Sequence, residues 1–190
     1  RVLQTPPGYP VVLCRASLAK WDEFLQSEDQ ALKSTHMEWA DGHILIVEVL
    51  TQAHSQLSIQ FDRSFSQYPV VSTHLTPCGG FYIDTRRRFE PDQSYRPLRR
   101  PSVLLGGQIG VSRTWGHRPG FLDWKANQWA TFPGVTYVLC IATDARLAAC
   151  EYKLYTVTTV GAALPVMNPI PVVAPQTLVR FNTRRLLVCL

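Results

Sequence analysis

From Leu18 the apolar positions fall at helical spacing. Leu18, Trp21, Phe24 and Leu25 share one face, and Ser17 ahead of them can accept from the first free N–H groups. The period then shortens. Residues 37–49 read as two strand-prone stretches around Asp41-Gly42, a turn pair that tolerates positive φ and so predicts a hairpin. A helix is predicted from Gln52 to about Tyr68, capped by Thr51, with Leu57, Ile59, Phe61 and Phe65 on or near one side. Past Pro69 the pattern predicts strands at 70–75, 81–84, around 92–95 and at 103–111. The last is apolar on both faces except at Gln108, as in a central strand. A Gly/Pro loop (112–120) leads to a helix at 121–131, which Pro133-Gly134 ends, and a buried strand at 135–142 follows. Asp144-Ala145 turns the chain into a strand at 147–157, and a last strand is predicted near 178–190. The remainder is a Pro-rich arm (1–15), a polar loop (26–35) and an extended Pro-rich segment (161–175).

Residues 1–190 fit one domain, long enough to bury a core. The composition, 46% hydrophobic and 17% charged, is that of a folded protein rather than a disordered tail. No run of about 18 apolar residues can span a bilayer, so no membrane partner is expected. Five cysteines, an odd number without a CxxC pair, suggest neither a disulfide framework nor a zinc site. A reducing intracellular compartment, cytoplasmic or nuclear, fits that usage.

Charge adds a candidate partner. The formal net charge is +5, and fifteen of the 19 basic residues are arginine. Eight of these (Arg86, Arg87, Arg88, Arg96, Arg99, Arg100, Arg113 and Arg118) crowd into residues 86–118 against only Glu90 and Asp92. Guanidinium groups suit bidentate phosphate contact, and a one-sided basic patch is a nucleic-acid footprint. A solvated basic face or an arginine-rich interface, including one between two copies in a homodimer, is the alternative.

The polar residues inside this pattern carry the candidate chemistry. Glu90-Pro91-Asp92 precedes the central strand, and Gln108 interrupts it. A glutamine there must find hydrogen-bond partners, and it serves either as a site residue or as a satisfied core amide. The order of elements from 51 to 142 (helix, three strands, helix, strand) resembles the PD-(D/E)XK nuclease core. The motifs resemble more narrowly the Uma-two family of that superfamily, including its fungal relatives. They are Glu38 before Asp41-Gly42, His54 at the start of the next helix, Pro91-Asp92, Gln108-Ile109-Gly110-Val111-Ser112 where the family has Glu-Val-x-x-Ser, and Lys125 four residues before Trp129 with Gly134-Val135 following.

The resemblance implies an α/β fold with a restriction-endonuclease-like core: a central mixed β-sheet flanked by helices, an N-terminal hairpin and extra C-terminal strands. It implies a metal-dependent phosphodiesterase, a DNA endonuclease in class, with Glu38, Asp92, Gln108 and Lys125 catalytic and His54 beside them. Glu38, Asp92 and Gln108 would hold Mg2+ or Mn2+, since hard cations prefer clustered oxygen donors. Arg86, Arg87, Arg88, Arg96, Arg99 and Arg100 would meet DNA. Glutamine in place of the strand acid leaves the site degenerate, so the alternative is a catalytically inactive nucleic-acid-binding or protein-interaction module on the same fold. Each residue also has a plain structural role open to it. Glu38 can pair at the hairpin, His54 can be a structural polar residue, and Lys125 can snorkel from the Phe121, Trp124 and Trp129 surface. Asp123 is expected on the exposed side of its helix.

Overall fold

The computed structural model describes residues 10–27, 37–47, 52–78, 91–98, 105–111, 115–144, 146–173 and 177–186. For residues 105–111, 183 and 186 only the backbone is described. The chain is mixed α/β, with a three-stranded and a six-stranded sheet among these residues.

The smaller sheet is built from β1 (Val11–Arg15), β2 (Met37–Ala40) and β3 (His43–Ile46) in the order β1-β3-β2, all antiparallel. Asp41 and Gly42 take φ of 49° and 77°, the two positive values that a tight two-residue hairpin needs to follow the strands' right-handed twist. The expected N-terminal arm is therefore partly a strand. Val11 and Val12 pair with Ile46 and Leu45, and the register slips between Val12 and Cys14. Helix α1 (Leu18–Gln26) follows, with Ser17 Oγ accepting from the Lys20 N–H at 3.2 Å as its cap. It buries Trp21 and Leu25 against Met37 and Ile44, on one face of the small sheet.

Helix α2 (Gln52–Ser66) begins next to Thr51, the predicted cap, which lies outside the described residues. The strand expected at 70–75 is instead mostly helix α3 (Pro69–His74), and only β4 (Leu75–Pro77) is extended. The cause is local. Pro69 is preset for the first helical turn, Tyr68 precedes it in extended conformation, and Val71 gains burial against Phe65, Leu75 and Tyr95. Those gains outweigh the modest β-preference of Val70 and Val71. The strand expected at 81–84 lies outside the described residues.

β5 (Gln93–Pro97), β6 (Leu105–Val111), β7 (Tyr137–Thr143), β8 (Cys150–Thr156) and β9 (Ile170–Pro171) extend the larger sheet in the order β4-β5-β6-β7-β8-β9. Only the β6–β7 pair is parallel, and helix α4 (Leu122–Trp129) makes the crossover between them. β7 is covered on both faces, which explains its unbroken apolar run. Tyr137, Leu139 and Ile141 face the α2 side, among Phe61, Phe65 and Leu57. Val138, Cys140 and Ala142 face α4, against Leu122, Ala126 and Trp129. Of the last strand expected at 178–190, residues 187–190 lie outside the described residues, and the described part forms no strand. Residues 177–182 carry no strand, and α5 (Thr183–Leu186) ends the described chain. Phe181 there packs edge-on against Phe65 and Tyr137, so it covers the sheet's face rather than extending its edge.

Candidate functional site

Glu38 sits mid-strand on β2, and alternation along the strand turns it, with Ala40, toward α4, where Ala40 packs with Trp124. Lys125 reaches back from α4. Its Nζ donates to Glu38 Oε1, and both side chains are buried. The second oxygen, Glu38 Oε2, is also buried and has no hydrogen-bond partner among the described residues. Burying a carboxylate oxygen unpartnered is costly, so the position invites a cation, a water or a donor from a ligand.

Asp92, just ahead of β5, lies 3.2 Å from Nε2 of buried His54 in the first turn of α2. One member of each pair, Asp92 and Lys125, acts electrostatically on the same buried residue, Cys140. Burial pushes the Cys140 thiol up to about 12. Asp123 and then Asp92 add to that rise, while Lys125 and Lys153 oppose it, so all four charges act on one thiol.

Gln108 enters through its backbone. β6 pairs Gln108 with Cys140, and β5 pairs Gln93 with Gly107, the last pair of that register before Asp92 and Gln108. The Gln108 side chain lies outside the described residues. Of the basic patch, Arg96 on β5 and Arg118 are exposed, whereas Arg86, Arg87, Arg88, Arg99, Arg100 and Arg113 lie outside the described residues.

Asp123 is a correction. It is not on the exposed side but buried beneath α4, where its Oδ1 accepts from Lys153 Nζ at 2.7 Å and from the Tyr155 hydroxyl at 2.5 Å. Burial, and next the bond to Asp123, hold the Tyr155 phenol above its ordinary range. Lys153 Nζ also stands 4.5 Å over the Trp115 ring, and Trp115 Nε1 donates to Glu151 Oε1 at 2.7 Å. The sequence does hold the signal for this group. Glu151, Lys153 and Tyr155 alternate on β8 and share one face, but charged alternation reads as a solvated face until α4 is known to cover it. Asp123 in the first turn of a helix reads as a favourable dipole partner, which gives no hint of burial.

Helix α4 is therefore fastened to both sheets by buried ion pairs, through Lys125 to β2 and through Asp123 to β8. Among the described residues, no group of three or more His, Cys, Asp and Glu side chains is placed to hold a metal ion. Glu38, His54 and Asp92 are all described, and they do not form such a group. No family model matches the chain, and no curated protein matches it.

Proposed function

We propose that this chain is a restriction-endonuclease-like phosphodiesterase domain with a degenerate hydrolytic site, binding DNA and holding Mg2+ or Mn2+ weakly. The supporting observation is a set of long-range contacts. Glu38 pairs with Lys125 and His54 meets Asp92, from four separate places in the chain, and Asp92 and Lys125 both act on Cys140, which β7 sets opposite Gln108. Glu38 and Asp92, with the Gln108 amide, would hold the ion. When bound it would stabilise the phosphorane and make a water more acidic.

The chain's own groups supply the rest. Lys125 brings a fixed positive charge to the position where phosphate charge grows, and its pairing with Glu38 aims it. His54 orients Asp92. The Asp123, Lys153 and Tyr155 group holds the first turn of α4, and with it Lys125, against β8. Exposed Arg96 and Arg118, with the arginines near them in sequence, would hold the DNA backbone.

A second reading, a nucleic-acid-binding module without turnover, is favoured by one observation. Glu38, Asp92 and Asp123 each already face a basic side chain of the protein itself. Labelled duplex and single-stranded DNA, titrated with the protein across a salt series with and without Mn2+, test both readings. Binding that weakens steeply with salt is expected, because each neutralised phosphate releases counterions. Slow Mn2+-dependent cleavage that Glu38→Ala abolishes supports the first reading. Salt-sensitive binding without cleavage supports the second. Undetectable binding at low salt, or binding indifferent to salt, removes DNA as the partner.

A further inference from the structure

A cleft of about 300 Å3 opens beside β2, the edge strand of the small sheet. That volume lies at the lower end of small-molecule sites. Its walls are largely tryptophan: Trp21 from α1, Trp39 from β2 and Trp124 from α4. The Trp39 ring is fixed, because its Nε1 donates to the Ala16 carbonyl at 2.7 Å, and Trp21 is buried and stacked on Phe24 at 5.6 Å. Two polar groups also line the cleft. They are Asp41, exposed on the hairpin turn, and the half-buried amide of Gln128.

Indole walls with a carboxylate and an amide suit two kinds of ligand, an alkylammonium ion or a planar base bearing N–H donors. Two observations favour the base. The walls adjoin the Glu38–Lys125 pair, since Ala40, on the same side of β2 as Glu38, and Trp124, next to Lys125 on α4, both line the cleft. The chain's net charge of +5 draws polyanions and repels free cations. Among bases, guanine matches the polar pair. Its adjacent N1–H and N2–H groups can both reach one carboxylate, and its O6 can accept from an amide N–H.

Resting on the DNA-binding reading, we propose that this cleft is a subsite for an unpaired guanine, which stacks on the indoles and is read by Asp41 and Gln128. An unpaired base presents both its faces and its pairing edge, which a duplex hides. The subsite would thus favour single-stranded or distorted DNA with guanine near the bound phosphate.

The test is a tryptophan-fluorescence titration of the whole chain with guanosine, adenosine and tetramethylammonium, in EDTA. Guanosine carries no phosphate and needs no metal here, so its binding is independent of whether the Glu38 and Asp92 site holds an ion or cleaves. Saturable quenching by guanosine is expected, with adenosine at least about tenfold weaker, because its N6–H donor stands beside the N1 acceptor and cannot engage both oxygens of a carboxylate. Asp41→Asn, which asparagine's tolerance of positive φ allows, should lower guanosine affinity about tenfold, with an unchanged circular-dichroism melt. Gln128→Ala should weaken it separately. No saturable guanosine response, an Asp41→Asn response equal to wild type, or tighter binding of tetramethylammonium would each overturn the proposal. Guanosine binding together with failure of every DNA assay would leave the subsite standing and remove the nuclease reading.

Discussion

Asp123→Asn removes one charge from the buried group under α4 and keeps the side-chain volume. At 2.7 Å, with an effective dielectric constant near 20, the Lys153–Asp123 attraction is about 6 kcal/mol before the desolvation of both charges is subtracted. What the variant leaves behind matters more than that gross figure. Lys153 stays buried with no carboxylate, and deleting one partner of a buried pair costs about 3–5 kcal/mol. The Trp115 ring 4.5 Å from Nζ offsets about 1 kcal/mol. The amide oxygen of Asn can still accept from Tyr155, so that bond is largely retained.

The expected loss is therefore about 3 kcal/mol, or about 6–12 °C in Tm for a chain of this size. Lys153→Met should cost a similar amount, because it strands Asp123. The double variant should recover most of the loss, since no buried charge remains unpaired. Urea unfolding, followed by tryptophan fluorescence and far-ultraviolet circular dichroism at constant m-value, measures all four corners of the cycle. Single variants that each cost under about 1 kcal/mol, or costs that simply add in the double, would refute a closed ion pair beneath α4.

Three further outcomes rest on two other buried groups. Tyr95, fully buried, donates to Asp62 at 2.6 Å and ties β5 to α2, so Tyr95→Phe should cost about 1.5 kcal/mol in the same urea assay. Cys140 should resist iodoacetamide at pH 8 in the native protein while exposed Cys14 reacts, a contrast that peptide mapping reads. The same thiol sets an alkaline limb. Its folded pKa near 12 exceeds the ordinary 9.0, so the folded state holds its proton longer. That stability is complete below pH 9 and is lost as pH rises toward 12, by up to about 1.4 kcal/mol per pH unit. Cys140→Ala should flatten that limb, and an unchanged slope would assign it to other groups.

Much of this architecture is written locally. Asp41-Gly42 can only turn tightly, Ser17 caps the helix it precedes, and the unbroken apolar run of β7 reports a strand covered on both faces. Those features depend on residues a few positions apart. Residues 70–75 read as a strand because valine favours one, and only the burial of Val71 against Phe65 and Tyr95, with Pro69 opening the turn, makes them mainly helical. Residues 178–186 misled in the same way. They were expected to open a strand, yet Phe181 covers an aromatic cluster instead.

The site divides along the same line. Glu38 and Lys125 were singled out through motif order, and the structure pairs them across 87 positions, a contact that motif order did not predict. Asp123, Lys153 and Tyr155 were not legible, because a charged residue on a helix or an alternating strand signals solvent unless the covering element is known. No composition or spacing says that α4 lies on β8.

The central claim, a phosphodiesterase site short of one carboxylate, turns on the residue at position 108. Calorimetric titration of Mn2+ into the wild-type protein, Gln108→Glu, and Gln108→Glu with Asp92→Ala tests it, with thermal melts alongside. The account predicts weak binding by the wild type and a clear gain in affinity with the added charge, because hard-cation affinity rises with ligand charge. It also predicts loss of that gain when Asp92 is removed. A Gln108→Glu protein that melts lower with unchanged Mn2+ affinity would instead show a core amide burdened with a buried charge, and would contradict the account.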